Sequence, residues 1–207
     1  MDLEGRLRRS GITIVGGIPE QLTVLDPDGR GLRFIADLQG ELGERQKRLL
    51  AEREQRYKGF DDGKSPDFLP ETRHIREDTT WRVAEIPHDL LFRYVELTGP
   101  ANRDNMVLGA LTSGANTWKA DYEDALAPTF PNLLDDTLYL QRAVRRQLKT
   151  SRGELTEGME LTTLMTRPRG LHLREGHMLV DGEPVSAMIF DLGMIHYHLT
   201  QDQLRRG

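Results

Sequence analysis

The second half of the chain runs strand, helix, strand, helix, strand, helix, and that order most constrains its fold. Arg93-Tyr94-Val95-Glu96-Leu97-Thr98 alternates polar and apolar residues like a half-buried strand. Gly99-Pro100 follows. Pro100 is placed to begin a helix with Met106, Val107, Ala110 and Leu111 as its apolar stripe and Gly114 as its stop. Residues 117–122 read as a second strand. Residues 133–148 read as a helix with Leu134, Leu138, Ala143 and Leu148 toward the core. Residues 161–166 read as a third strand ending in Arg-Pro-Arg-Gly. Residues 177–185 predict a small hairpin turning at Asp181-Gly182, and 186–206 a last helix. Strands separated by helices pair in parallel through right-handed crossovers. Such sheets carry their chemistry at the carboxyl ends of the strands.

The first half has a different grain. Residues 1–25 predict an irregular start with one short strand, Ile12-Thr13-Ile14-Val15, stopped by Gly16-Gly17. Over residues 31–58 the pattern turns helical, with Leu38, Leu42, Arg45, Leu49 and Leu50 at helix spacings and Glu and Arg on the solvated face. Residues 59–70 form a break, where Asp61-Asp62 is turn chemistry rather than a metal pair. The polar segment after it reads as extended, with Trp81 and Val83 as its anchors.

Totals exclude several classes. With 207 residues, the chain can bury a real core as one large domain or two small ones. Hydrophobic content of 37% and charged content of 29% fit a soluble globular protein. A net charge of −5 argues against a nucleic-acid or acidic-membrane binder. Zero cysteines exclude disulfides, thiolate metal sites and cysteine nucleophiles, and fit a cytoplasmic protein. No apolar stretch approaches the ~18 residues of a membrane span. The N-terminus lacks the apolar core of a signal peptide.

The candidate site lies at the strand ends. Asp121, Glu123 and Asp124 close the second strand, and Arg167 and Arg169 follow the third. Strand alternation puts Asp121 and Glu123 on one face and Tyr122 on the other. Two carboxylates so placed can hold Mg²⁺ directly or through its waters. Arg167 offers a planar cation to an oxyanion or a substrate carboxylate. The alternative is a set of structural ion pairs. His172 follows the turn and is placed to line the same pocket; His196 and His198 read as packing residues, and His74 has no role.

Four segments, FLPETRHIRE, LTGPANRDNMVLGALTSGANTWKADYEDALAPTF, TRPRGLHL and VDGEPVSAMIFDLG, resemble malate synthase of the A type in the same order and at similar spacing. The likeness runs from about residue 66 to the end, and more weakly through the helical start. It implies an α/β fold: residues 1–90 as an N-terminal helical clasp, and 91–207 as the first three strands of a TIM barrel. It implies Mg²⁺-dependent condensation of glyoxylate with acetyl-CoA, an aspartate base and an enolate-stabilising arginine. Arg167, the first arginine of RPRG, matches that arginine, and Asp121 and Glu123 match the acids near the magnesium. Asp124 falls in the same motif.

Lys119, Tyr122 and Ala125 replace the family's Met, Phe and Ser, and Leu171 its usual Trp, which bears on specificity. Met194, Ile195 and His196 depart from the family's more aromatic helix. The later magnesium ligands and the aspartate base match no segment here. The chain therefore reads as an N-terminal part of such an enzyme, as a non-catalytic module, or as half of a split enzyme completed by a separate chain. A related CoA-ester lyase is the remaining alternative.

Overall fold

A computed structural model describes residues 2–206 as a mixed helix-and-sheet structure with a helical N-terminal region. Helix α1 (Leu3–Arg9) is capped by Asp2, whose carboxylate accepts the Gly5 N–H. Strand β1 (Ile12–Ile14) and helix α2 (Glu20–Leu25) follow. Buried Asp26 then accepts the Gly31 and Leu32 N–H groups, both at 3.0 Å, and so starts helix α3 (Arg30–Asp61). The sequence predicts α3 to within three residues. Only its first half is core, through Leu32 and Ile35; Leu42 and Leu49 are exposed.

Residues 62–95 hold only short turns and helix α4 (Arg73–Glu77). Trp81 and Val83, predicted as anchors, are 54% and 74% exposed. No strand or helix forms over residues 78–87 to bury them.

A three-stranded parallel sheet follows, made of β2 (Glu96–Gly99), β3 (Thr117–Asp121) and β6 (Thr163–Arg167), in that order. Strand β2 starts three residues later than the alternation predicts. Asn116 holds Val95 from the turn ahead of β3, its Oδ1 accepting the Val95 N–H at 3.0 Å, and Tyr94 is left exposed. Helix α5 (Asp104–Leu111) starts at Asp104 and not at Pro100. Arg103 is extended, and the Ala101 N–H is committed to the Asp136 carboxylate at 2.8 Å. Helix α6 (Phe130–Val144) starts at the Thr129 cap and ends before Arg146, whose φ of 58° turns the chain. The predicted extension to 148 is replaced by an unforeseen ribbon, β4 (Lys149–Thr150) with β5 (Gly153–Glu154).

The hairpin formed as expected. Strands β7 (Arg174–Val180) and β8 (Glu183–Ser186) meet at Asp181-Gly182, both with positive φ as a tight hairpin turn demands. The short strand predicted at Ile12 joins it as a third strand, a pairing that local pattern does not specify. Strand β1 pairs antiparallel with β7, Ile12 against Val180 and Ile14 against Met178. The final helix breaks at Leu199 into α7 (Ala187–His198) and α8 (Thr200–Arg206). Helix α7 is buried on most sides and meets α3 at Gly193, where a Cβ would come within 2.5 Å of Ile35. A single apolar core links both halves: Leu3, Ile35, Trp118, Leu133 and Phe190 belong to one contact cluster.

Candidate active site

The parallel register sets Asp121 directly beside Arg167 at the carboxyl ends of β3 and β6. Arg167 gathers all three acids of the second strand end. Its guanidinium lies 3.2 Å from Asp121, 2.8 Å from Glu123 and 2.6 Å from Asp124. The predicted reason is only half right. Strand β3 stops at Asp121, so Glu123 does not reach Arg167 by alternation. Asp121 bends the chain itself: its Oδ1 accepts the N–H groups of Glu123 and Asp124, both at 3.1 Å. That turn carries two more carboxylates to the same cation.

Burial grades the cluster. The Asp121 side chain is 1% exposed, that of Arg167 37% and that of Asp124 67%. The hydrogen bond that Arg167 donates to Asp124 raises its pKa, desolvation opposes this, and the charges of Asp121, Asp124 and Glu123 add to the rise, so it stays cationic. Three carboxylates against one guanidinium leave the cluster formally anionic. Glu123 also accepts the Gly170 N–H at 3.0 Å. The approach is close: a Cβ on Gly170 would lie 2.7 Å from both the Glu123 carboxylate and the His172 ring. His172 thus borders the cluster through Gly170 and has an exposed ring. Tyr122 points the other way, fully buried, with its hydroxyl 3.3 Å from Thr137. Burial raises its pKa well above the usual value.

Arg169, two residues on, behaves differently. It is 4% exposed. It donates to both oxygens of Asp191, at 2.9 and 2.7 Å, and to Glu175 at 2.8 Å. Its own N–H also reaches Asp191, at 2.8 Å. Glu175 passes the link to His177, whose Nδ1 is 2.6 Å away and whose ring stacks on Phe130. Burial opposes the Arg169 charge, but Asp191 and Glu175 outweigh it and raise its pKa. This clamp ties the turn after β6 to α7 and β7, and it was missed at the carboxylate end. Asp191 sits inside the apolar run SAMIFDLGMI, and an acid in a buried run demands a partner; that was the available signal.

Asp136 on α6 is a second missed acid. It is fully buried, holds the Ala101 N–H and has no cation partner; its Oδ1 is unpaired. Burial pushes its pKa up to about 7. Of the remaining histidines, His198 is buried with Nε2 unpaired, and His196 is exposed with Nδ1 3.0 Å from Thr200.

Among the described residues, no group of three or more His, Asp or Glu is arranged to hold a metal ion. Asp121, Glu123 and Asp124 are turned onto Arg167 instead, so these residues do not by themselves fit a Mg²⁺ shell. No described helix is long and apolar enough to cross a membrane.

The family model for the malate synthase N-terminal domain matches residues 15–74, and that for the malate synthase TIM barrel domain matches residues 163–207. A glyoxysomal malate synthase of Candida tropicalis is 40% identical over 203 residues, which is 95% of this chain and 36% of the relative. A malate synthase of Myxococcus xanthus is 40% identical over 192 residues, 91% of this chain and 35% of the relative. A bifunctional glyoxylate cycle protein of Caenorhabditis elegans is 40% identical over 189 residues, 89% of this chain and 19% of the relative. The chain spans about a third of the length of the first two. Two domain matches in the expected order, with similarity running nearly end to end, lead to one conclusion: the chain belongs to the malate synthase family.

Proposed function

We propose that this chain supplies the first three strands of a malate synthase barrel, residues 91–207, behind a helical clasp, residues 1–90. The reaction is condensation of glyoxylate with acetyl-CoA to give malate and CoA, and the setting is the cytoplasm. The observation that carries the reading is Arg167 at a parallel strand end, cationic and 37% exposed; its position in Arg-Pro-Arg-Gly supports the role that the resemblance assigns to it, stabilising the enolate. Asp121 and Glu123 hold its guanidinium in place from the buried side. Asp124 is the exposed partner, and a substrate oxyanion would take over its hydrogen bond to Arg167. A Mg²⁺ ion, if the assembled enzyme holds one, would be bound by residues outside these strands and would supply Lewis-acid chemistry there.

Strands β2 and β6 are the sheet's outer members. Open edges of a parallel sheet call for further strands, which favours a barrel completed by strands outside residues 91–207 over independent activity. The test is CoA release from acetyl-CoA, with glyoxylate and Mg²⁺, by the 207-residue chain alone and with the remaining barrel supplied. We expect no release alone and release on completion. In the completed protein, Arg167→Ala raises the barrier by about 3 kcal/mol, the loss of one preorganised oxyanion donor. Near-normal turnover in that variant removes the role assigned to Arg167.

A further inference from the structure

A polar cleft of ≈ 410 Å³ lies between the start of α5 and the loop of the β4–β5 ribbon. Arg103 and Arg152 line it from segments far apart in sequence, with Asn102, Asn105 and Tyr139 between them. Neither guanidinium has an ion-pair partner among the described residues. A third arginine, Arg142, lies over the Tyr139 ring at 5.8 Å from its centroid. Asp104 is the one acid in the lining, and its Oδ1 is already occupied by the Asn105 N–H at 2.6 Å.

Asn105 supplies a second sign. Its amide nitrogen donates to the Ser151 hydroxyl at 3.0 Å, and its Oδ1 is buried with no partner. Ser151 can donate as well as accept. Rotating the amide half a turn therefore keeps that bond and turns N–H donors toward the unpaired position. Two guanidinium groups without an ion-pair partner among the described residues line one cleft, and a guanidinium fork matches phosphate oxygens two at a time.

We propose that this cleft binds a phosphate- or diphosphate-bearing anion through Arg103 and Arg152. The site is separate from the Arg167 cluster and does not depend on the reaction proposed above.

Titration calorimetry on the full chain tests it, with inorganic diphosphate in one arm and ADP in the other. Binding of both with equal affinity assigns the site to a free anion. At least tenfold tighter ADP binding assigns it to a nucleotide, with the Tyr139 ring as a platform for the base. Arg103→Ala and Arg152→Ala, both at exposed positions, each weaken binding about tenfold, as loss of one charge-assisted hydrogen bond requires. Arg103→Lys falls between, keeping charge and losing the fork. Arg167→Ala leaves affinity unchanged. The proposal is overturned if neither ligand binds at millimolar concentration. It is equally overturned if both cleft variants bind like the parent, or if Arg167→Ala abolishes binding, which would place the anion at the strand ends.

Discussion

Arg167 and Arg169 leave the same strand end two residues apart, and each is held by carboxylates. Arg169 is sealed against Asp191 and Glu175, whereas the Arg167 side chain is 37% exposed and shares one partner, Asp124, with water. The chemistry of the pairs is alike; the solvent is not. In the dry pair each charge depends on the other, because neither is hydrated. In the wet one water substitutes for Asp124 when that partner is removed, so the outer side of the guanidinium is available to a ligand. The same four-residue turn thus anchors the fold with one arginine and presents the other.

Arg169→Ala is the strongest test of that contrast. It strands Asp191 and Glu175 without a cation and should cost about 3–5 kcal/mol of stability, read as a lower urea midpoint. A loss under 1 kcal/mol would show that water already reaches the clamp.

Asp136 sharpens the comparison from the other side, as a buried acid with no arginine at all. Its pKa is about 7 in the folded chain against an ordinary 3.8. Between those values the folded state keeps a proton that the unfolded state has lost. Its stabilising contribution is therefore complete below 3.8 and declines as pH rises to about 7. The decline has a slope of at most ~1.4 kcal/mol per pH unit. Urea midpoints measured from pH 4 to 8 should lose that slope in Asp136→Asn. An unchanged slope would mean that Asp136 is already ionised when folded.

Arg167→Ala should cost less than Arg169→Ala, about 1–2 kcal/mol, because Asp124 and part of Glu123 reach water, while buried Asp121 keeps the N–H groups of Glu123 and Asp124. A loss equal to that of Arg169→Ala would erase the distinction. Asp124→Asn should be smaller still, a few tenths of a kcal/mol, since its side chain is 67% exposed.

What was legible in the sequence was local. Alternation marked β2, because a half-buried strand repeats every two residues, although the strand begins only at Glu96. Asp181-Gly182 marked the hairpin because its turn needs positive φ at both places. The cluster of Arg167 with Asp121, Glu123 and Asp124 was legible because parallel strands bring their carboxyl ends side by side. Helix starts were less so. The Ala101 N–H has a choice between continuing a helix and joining Asp136, and that acid lies 35 positions away.

The rest was decided only in three dimensions. Nothing near Ile12 specifies Val180 as its neighbour; the pairing exists because the hairpin edge and the N-terminal strand meet over one apolar core. Nothing in Arg-Pro-Arg-Gly says which arginine is buried. The sequence alone determined which charged groups reach the strand ends, since strand-helix-strand order makes the strands parallel and sets their carboxyl ends side by side. Tertiary packing decided which of them keep their water, because burial depends on the surfaces that α7 and β7 bring from elsewhere in the chain.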